Sequence, residues 1–151
     1  MPDRAVRDVI GNRKPLTASG KTTVAAAAGL MKQHQVGAIM VVAAGRLVGI
    51  FTERDAVFRV LAEGRDPRTT TVAAVMTEKP RTIDADKAVG HALMLMYDGG
   101  FRHVPVVEDG RRRNRARASG RERLGAAVAG QAARGRRARE QGGRRQQAAD
   151  S

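Results

Sequence analysis

The segment "KPLTASGKTTVAAAAGLMKQHQVGAIMVVAAGR" (residues 14–46) lies over "KPRTIDADKAVGHALMLMYDGGFRHVPVVEDGR" (79–111) at a constant offset of 65, without a gap. Lys14/Lys79, Pro15/Pro80, Thr17/Thr82, Val24/Val89, Ala27/Ala92, Leu30/Leu95, Met31/Met96, Val41/Val106, Val42/Val107, Gly45/Gly110 and Arg46/Arg111 are identical pairs. The matches fall mostly on apolar and turn positions, which fix a core and its loops, so the chain carries an internal repeat. A fainter echo lies upstream, where "VRDVIGNRKP" (6–15) resembles "VAAVMTEKP" (72–80) with one residue more.

Each copy opens with a short extended piece containing proline and then becomes helical. Thr23 is predicted to cap a helix over 24–34, and Asp86 one over 87–98, because a short oxygen-bearing side chain can accept an orphan N–H of the first turn. Val89, Leu93 and Met96, flanked by Ala92 and Leu95, form a stripe of helical period. The apolar runs "VGAIMVVA" and "FRHVPVVE" read as buried strands ending in glycine-containing turns. The first copy continues with a second strand, "RLVGIFT", and a helix, "ERDAVFRVLAEG", that Gly64 terminates. The unit is β-α-β-β-α. One copy of about 50 residues is too small to bury a core alone, whereas two packed together can do so. The expected class is α/β (α+β), with repeat 1 over 6–65, an incomplete repeat 2 over 66–111, and a tail over 112–151.

Charge divides along the same boundary. The chain of 151 residues has a net charge of +13. Residues 1–110 hold 15 Lys and Arg against 12 acids, and residues 111–151 hold 13 Arg against three acids. The body is therefore near neutral and the excess sits in the tail. There is no cysteine, which excludes disulfides, thiolate catalysis and thiolate metal sites. The first residues lack an apolar signal core, and no stretch approaches the roughly 20 apolar residues of a membrane span. A cytoplasmic protein without a membrane partner is expected.

With these residues in hand, the chain resembles a tandem CBS-domain (Bateman) module of the small stand-alone bacterial type. The resemblance rests on "VGAIMVVAAGRLVGIFTERDAVFRVLAEG" in the first copy and "VAAVMTEKPRTIDADKAVGHALMLMYDGGFRHVPVVEDGR" in the second. It implies a regulatory module rather than an enzyme. Such modules bind an adenosine-containing ligand (AMP, ATP, NAD or S-adenosylmethionine) between the repeats, need no obligatory cofactor, and commonly pair as homodimers.

"GIFTERD" matches the family's glycine–apolar–apolar–Ser/Thr-x-x-Asp signature, and by resemblance Thr52, Arg54 and Asp55 face the ligand. A hydroxyl at a strand end can donate to a phosphate or ribose oxygen, and a carboxylate in the next turn can accept from ribose hydroxyls. The helix N-terminus adds free N–H groups. The same four residues also form a capping-box pattern, and the two readings are compatible. "FRHVPVV" matches the second ligand segment: Arg102 is a fork-shaped phosphate donor and His103 a hydrogen-bonding partner. Their counterparts in the first copy, Gly37 and Ala38, lack that chemistry, which makes the two clefts unequal. The resemblance also places Thr17, Thr82, Gly37, Ala38 and Ile39 along the cleft.

Other signals carry less. "ASGKTT" looks like the end of a phosphate-binding loop, but the pattern needs glycine at position 15, which is proline. His34, His91 and His103 have no metal-ligand spacing, and no nucleophile–base pairing suggests an active site. After Arg111 the repeat predicts a strand like "LVGIFTERD" at 112–120, where the chain reads "RRNRARASG". Residues 111–151 contain one Leu and one Val, and 29 of the 41 residues are Arg, Ala or Gly. Disorder is expected there. The composition is what a GC-rich gene yields in a shifted frame, so a frameshift at or just after codon 111 is expected. The competing reading is a basic arm that adheres non-specifically to nucleic acid, detectable as salt-dependent retention that disappears on deleting 112–151.

Overall fold

The structure, a computed structural model, describes residues 4–108 and 123–125. Its elements follow the repeat. Helix α1 (Val6–Ile10) leads to β1 (Thr17–Ser19), α2 (Val24–His34), β2 (Ala38–Ala43) and β3 (Arg46–Thr52). Next comes α3 (Glu53–Asp55), which runs on as a π-helical turn (Ala56–Leu61). The second set is α4 (Val72–Val75), β4 (Thr77–Glu78), β5 (Ile83–Asp84), α5 (Val89–Gly99), β6 (Val106–Glu108) and β7 (Arg123–Gly125). The fold is α/β, with two sheets ordered β1-β2-β3-β4 and β5-β6-β7. In each, the first strand pairs parallel to the second and the second antiparallel to the third.

Two helix starts tested the capping argument. Thr23 caps α2 as expected, its side chain accepting from the Ala26 N–H at 3.2 Å. Asp86 does not cap α5. That helix begins at Val89 behind Ala88, the position equivalent to Thr23 and without a side-chain acceptor. Asp86 lies in the preceding turn, where its N–H bonds to Asp84 Oδ1 at 2.8 Å and its carboxylate pairs with Arg7. The helix therefore starts where the repeat requires, and the aspartate is held by the lead-in helix.

The two units exchange their lead-in helices, and the faint upstream echo marks these exchanged pieces. Val6 N–H donates to Lys87 O and Val72 N–H to Thr22 O, both at 2.8 Å. Val89 N–H donates to Arg4 O at 2.9 Å, and Val24 N–H to Thr70 O at 2.8 Å. Arg7 N–H reaches Ala85 O as Ala73 N–H reaches Gly20 O. Each bond recurs with the body residue shifted by 65 and the lead-in residue by 66, the signature of a pseudo-twofold pair. The apolar side chains follow: Val72 and Val75 are buried with Val24, Ile39, Phe51 and Val60 of the first unit. Val6 and Ile10 are buried with Ile83, Ala92, Val104 and Val106 of the second. The phosphate-loop look of "ASGKTT" has a packing cause as well, since a Cβ on Gly20 would sit 3.1 Å from the Ala73 methyl.

Strand β7 differs from the expectation that no strand follows Arg111. Val106, Val107 and Glu108 pair with Gly125, Leu124 and Arg123. In the first unit Val41, Val42 and Ala43 pair with Gly49, Leu47 and Arg46, with a bulge that skips Val48. "RLG" thus stands in the register of "RLVG". A sheet edge needs only backbone N–H and C=O groups, so a short segment from an arginine-rich tail can supply it. The remaining tail residues, on which the expectation of disorder falls, lie outside the described residues.

Candidate functional site

Sequence dictates the local geometry at the end of β3. Asp55 Oδ2 accepts from the Thr52 N–H at 2.9 Å and from the Thr52 hydroxyl at 3.1 Å, while the Asp55 N–H faces Thr52 Oγ1 at 3.4 Å. This is a capping box closed on both sides. Asp55 is 7% exposed and is a buried charged residue. Its other oxygen, Oδ1, lies 3.6 Å from Arg59 Nε. A carboxylate oxygen has two lone pairs; Oδ2 spends both on Thr52, and Oδ1 retains the capacity to accept from a ligand hydroxyl.

The pseudo-twofold brings the head of β2 against the equivalent segment of the second unit. Gly37 O accepts from the Glu53 N–H at 3.0 Å. A Cβ on Gly37 would lie 3.0 Å from Glu53 Oε1 and 3.2 Å from His103 Nε2. Gly37 is therefore the gap into which the carboxylate of one unit and the imidazole of the other both reach. Ala38, beside it, is the ladder partner of Thr52. Thr52, Asp55, Gly37, Ala38 and His103 are thus gathered in one place. Sequence reasoning did not single out Glu53; its position directly after the capping threonine, opposite a glycine, was the available signal.

The other candidates sit elsewhere. Arg54 is exposed and lies over the Phe58 ring at 5.3 Å, a cation–π pair along the helix. Ile39 is fully buried among the first unit's core residues. Thr17 lies on β1 opposite Met40 and is exposed, as is Thr82 just before β5. Arg102 is exposed beside the half-buried His103. Among the described residues no group of three or more His, Asp or Glu is placed to hold a metal ion, and no helix is long and apolar enough to cross a membrane.

Burial holds the His103 imidazole below its ordinary value of 6.5; Glu53 pulls it up and Arg102 pushes it further down. A histidine that resists protonation when folded leaves the unfolded state binding more protons in acid. Stability is then complete above about pH 6.5 and declines as pH falls through that value. Thermal melts between pH 7.5 and 5 are expected to show this decline, and His103→Gln is expected to flatten it. An unchanged slope in the variant refutes the assignment.

Two interlocked units, β-α-β-β-α in the first and β-α-β-β among the described residues of the second, meet beside a capped Thr-x-x-Asp turn and define a paired α/β module. The comparisons give it its family: the CBS-domain model matches residues 6–62 and 72–113, and the chain belongs to the CBS-domain family. The CBS domain-containing protein CBSCBSPB5 of Arabidopsis thaliana is 37% identical over 97 residues, 64% of this chain and 18% of that protein. This chain therefore spans under a fifth of that relative's length. The CBS-domain containing protein ATU1752 of Agrobacterium tumefaciens superposes with a TM-score of 0.73 at 28% identity, over 89% of this chain and 99% of that one. The CBS-domain pair of protein MJ0100, solved with 5′-methylthioadenosine and S-adenosylmethionine, superposes with a TM-score of 0.71 at 26% identity, over 95% and 99% of the two chains.

Proposed function

We propose that the chain is a regulatory, non-enzymatic sensor that takes an adenosine-containing ligand at the Thr52–Asp55 turn against Gly37 and His103. The observation that carries this reading is the convergence of both units on that turn, where Asp55 Oδ1, beside Arg59, accepts no hydrogen bond from Thr52 and retains capacity for a ribose hydroxyl. Arg102 and His103 supply phosphate donors from the second unit, and Thr17 and Thr82 flank the entry strands. The structure of the MJ0100 pair, whose two ligands both contain adenosine, supports the ligand class. In sequence, the sensor comprises 6–65 and 66–111, with 112–151 as an appendage. Binding biases how the two units pack and so reports ligand level to a partner.

The second unit cannot repeat the site. No Ser/Thr-x-x-Asp stands after Arg111 in the sequence, so the second unit carries no copy of that signature. One ligand per chain is expected. Mass spectrometry of small molecules released from the purified protein, with calorimetric titration of AMP, ATP, NAD and S-adenosylmethionine, tests both points. No binding of any of the four sinks the sensor reading, and two equal sites per chain sink the inequality.

The sensor is further proposed to act as a homodimer. Val57, Phe58 and Leu61 on the π-helical turn, and Leu93, Met94 and Tyr97 on α5, are between 47% and 88% exposed. Exposed apolar rows on two helices favour burial against another copy. Light scattering is expected to give twice the chain mass for the native protein and the chain mass for Phe58→Lys; a native monomer refutes it.

A further inference from the structure

Arg59 belongs to no motif that the sequence singled out, yet it touches both the candidate ligand site and the connector between the units. Its Nε lies 3.6 Å from Asp55 Oδ1. Its Nη1 donates to two carbonyls at the end of α4, Met76 O at 2.9 Å and Val75 O at 3.1 Å. Those carbonyls close the helix that leads from the first unit into the second.

Besides the Val72 and Ala73 amide bonds and the burial of Val72 and Val75, further contacts fasten the connector to the first unit. Met76 packs against Gly49, where a Cβ would come within 3.1 Å of three Met76 side-chain atoms. Strand β4 pairs with Gly49 and Ile50. None of these contacts reaches Asp55. Among the described residues, Arg59 alone joins the carboxylate to the connector, and it does so with a planar fork whose donors point in fixed directions.

We infer that Arg59 is a positioning residue that couples the state of the Asp55 carboxylate to the connector at Val75 and Met76. Its geometry explains how. When a ligand hydroxyl engages Oδ1, the pull on Nε weakens, and the same rigid guanidinium carries that change to the two carbonyls. The consequence for signalling rests on the proposed ligand reading, whereas the coupling itself is present without ligand.

The test uses the ligand-free full chain and hydrogen exchange at the Met76 and Lys79 amides, which donate to Val72 O and Val48 O. Asp55→Asn removes the charge but keeps an oxygen that can cap. It is expected to speed exchange at these amides roughly two- to fivefold, the range for a partly exposed ion pair, when Arg59 is present. In an Arg59→Met background the same change is expected to have less than about 1.5-fold effect, since the pair no longer exists to couple. Arg59→Lys serves as the second variant: an ammonium lacks the fork and cannot span both partners, so it too is expected to lose the coupling. Equal effects of Asp55→Asn in all three backgrounds, or no effect beside native Arg59, overturn the inference. Because no nucleotide is used, failure to bind any of AMP, ATP, NAD and S-adenosylmethionine removes the sensor reading alone, and additive exchange effects remove this inference alone.

Discussion

Replacing Phe51 by alanine is expected to leave little folded protein. Phe51 is fully buried at the centre of the first unit, between Ile39 of the neighbouring strand and the lead-in helix residues Val72 and Val75. Removing a buried phenyl ring loses its transfer free energy and leaves a cavity, together about 3–5 kcal/mol. A domain commonly has 5–15 kcal/mol in total, so the change takes a large share of it. The location makes the loss worse. Among the described residues, the second unit has a partly open apolar pocket of about 10 Å³ lined by Val6, Ile10, Ile83, Ala92, Val104 and Val106, among others. That volume is about one water-sized probe, and its walls offer no polar partner to hold a water. Phe51 is the largest fully buried side chain among the described residues. The urea midpoint of Phe51→Ala is expected to fall well below that of Val104→Ala, the corresponding test in the second unit. Equal midpoints refute an uneven division of stability.

How much of this was legible in sequence depends on how local the deciding interaction is. The Thr23 cap, the β2–β3 pairing and the Thr52–Asp55 capping box depend on residues close in the chain, and the pattern alone located them. The exchange of α1 and α4 was visible only as an echo. Each piece is four or five residues long, and its partner is defined by backbone hydrogen bonds that side-chain patterns do not record. Asp86 shows the hazard: a good capping residue stands two positions before the observed cap, Ala88, and the Arg7 that claims its carboxylate lies 79 residues away. Strand β7 was missed for a related reason. The constant offset of 65 fails after residue 111, and three residues matching "RLVG" with one deletion carry little weight until the ladder pairs them. Glu53 and Arg59 acquire meaning only from what stands opposite them, a glycine gap in one case and helix-end carbonyls in the other.

Asp55→Ala is expected to separate binding from folding more sharply than any other change. The carboxylate closes the capping box through Oδ2, and losing that contribution costs about 0.5–2 kcal/mol, enough to lower the melting temperature without unfolding the chain. On the ligand side, Oδ1 is the acceptor offered to the ribose. Hydrogen bonds to a charged group contribute about 1.5–3 kcal/mol each. Losing one or two of them weakens binding by roughly one to four orders of magnitude, at about 1.4 kcal/mol for each factor of ten. Thr52→Ala is the matched control. It removes the hydroxyl that donates to Asp55 at 3.1 Å and so damages the cap comparably, yet it leaves the carboxylate in place. Titrating AMP, ATP, NAD and S-adenosylmethionine into both variants is therefore expected to give a modest loss for Thr52→Ala and a loss beyond detection for Asp55→Ala, at similar melting temperatures. If the two variants lose affinity equally in proportion to stability, Asp55 serves the cap alone and the ligand does not touch it. If Asp55→Ala binds like the native chain, the turn is structural, and the cleft at Gly37 and His103 takes its ligand by other contacts.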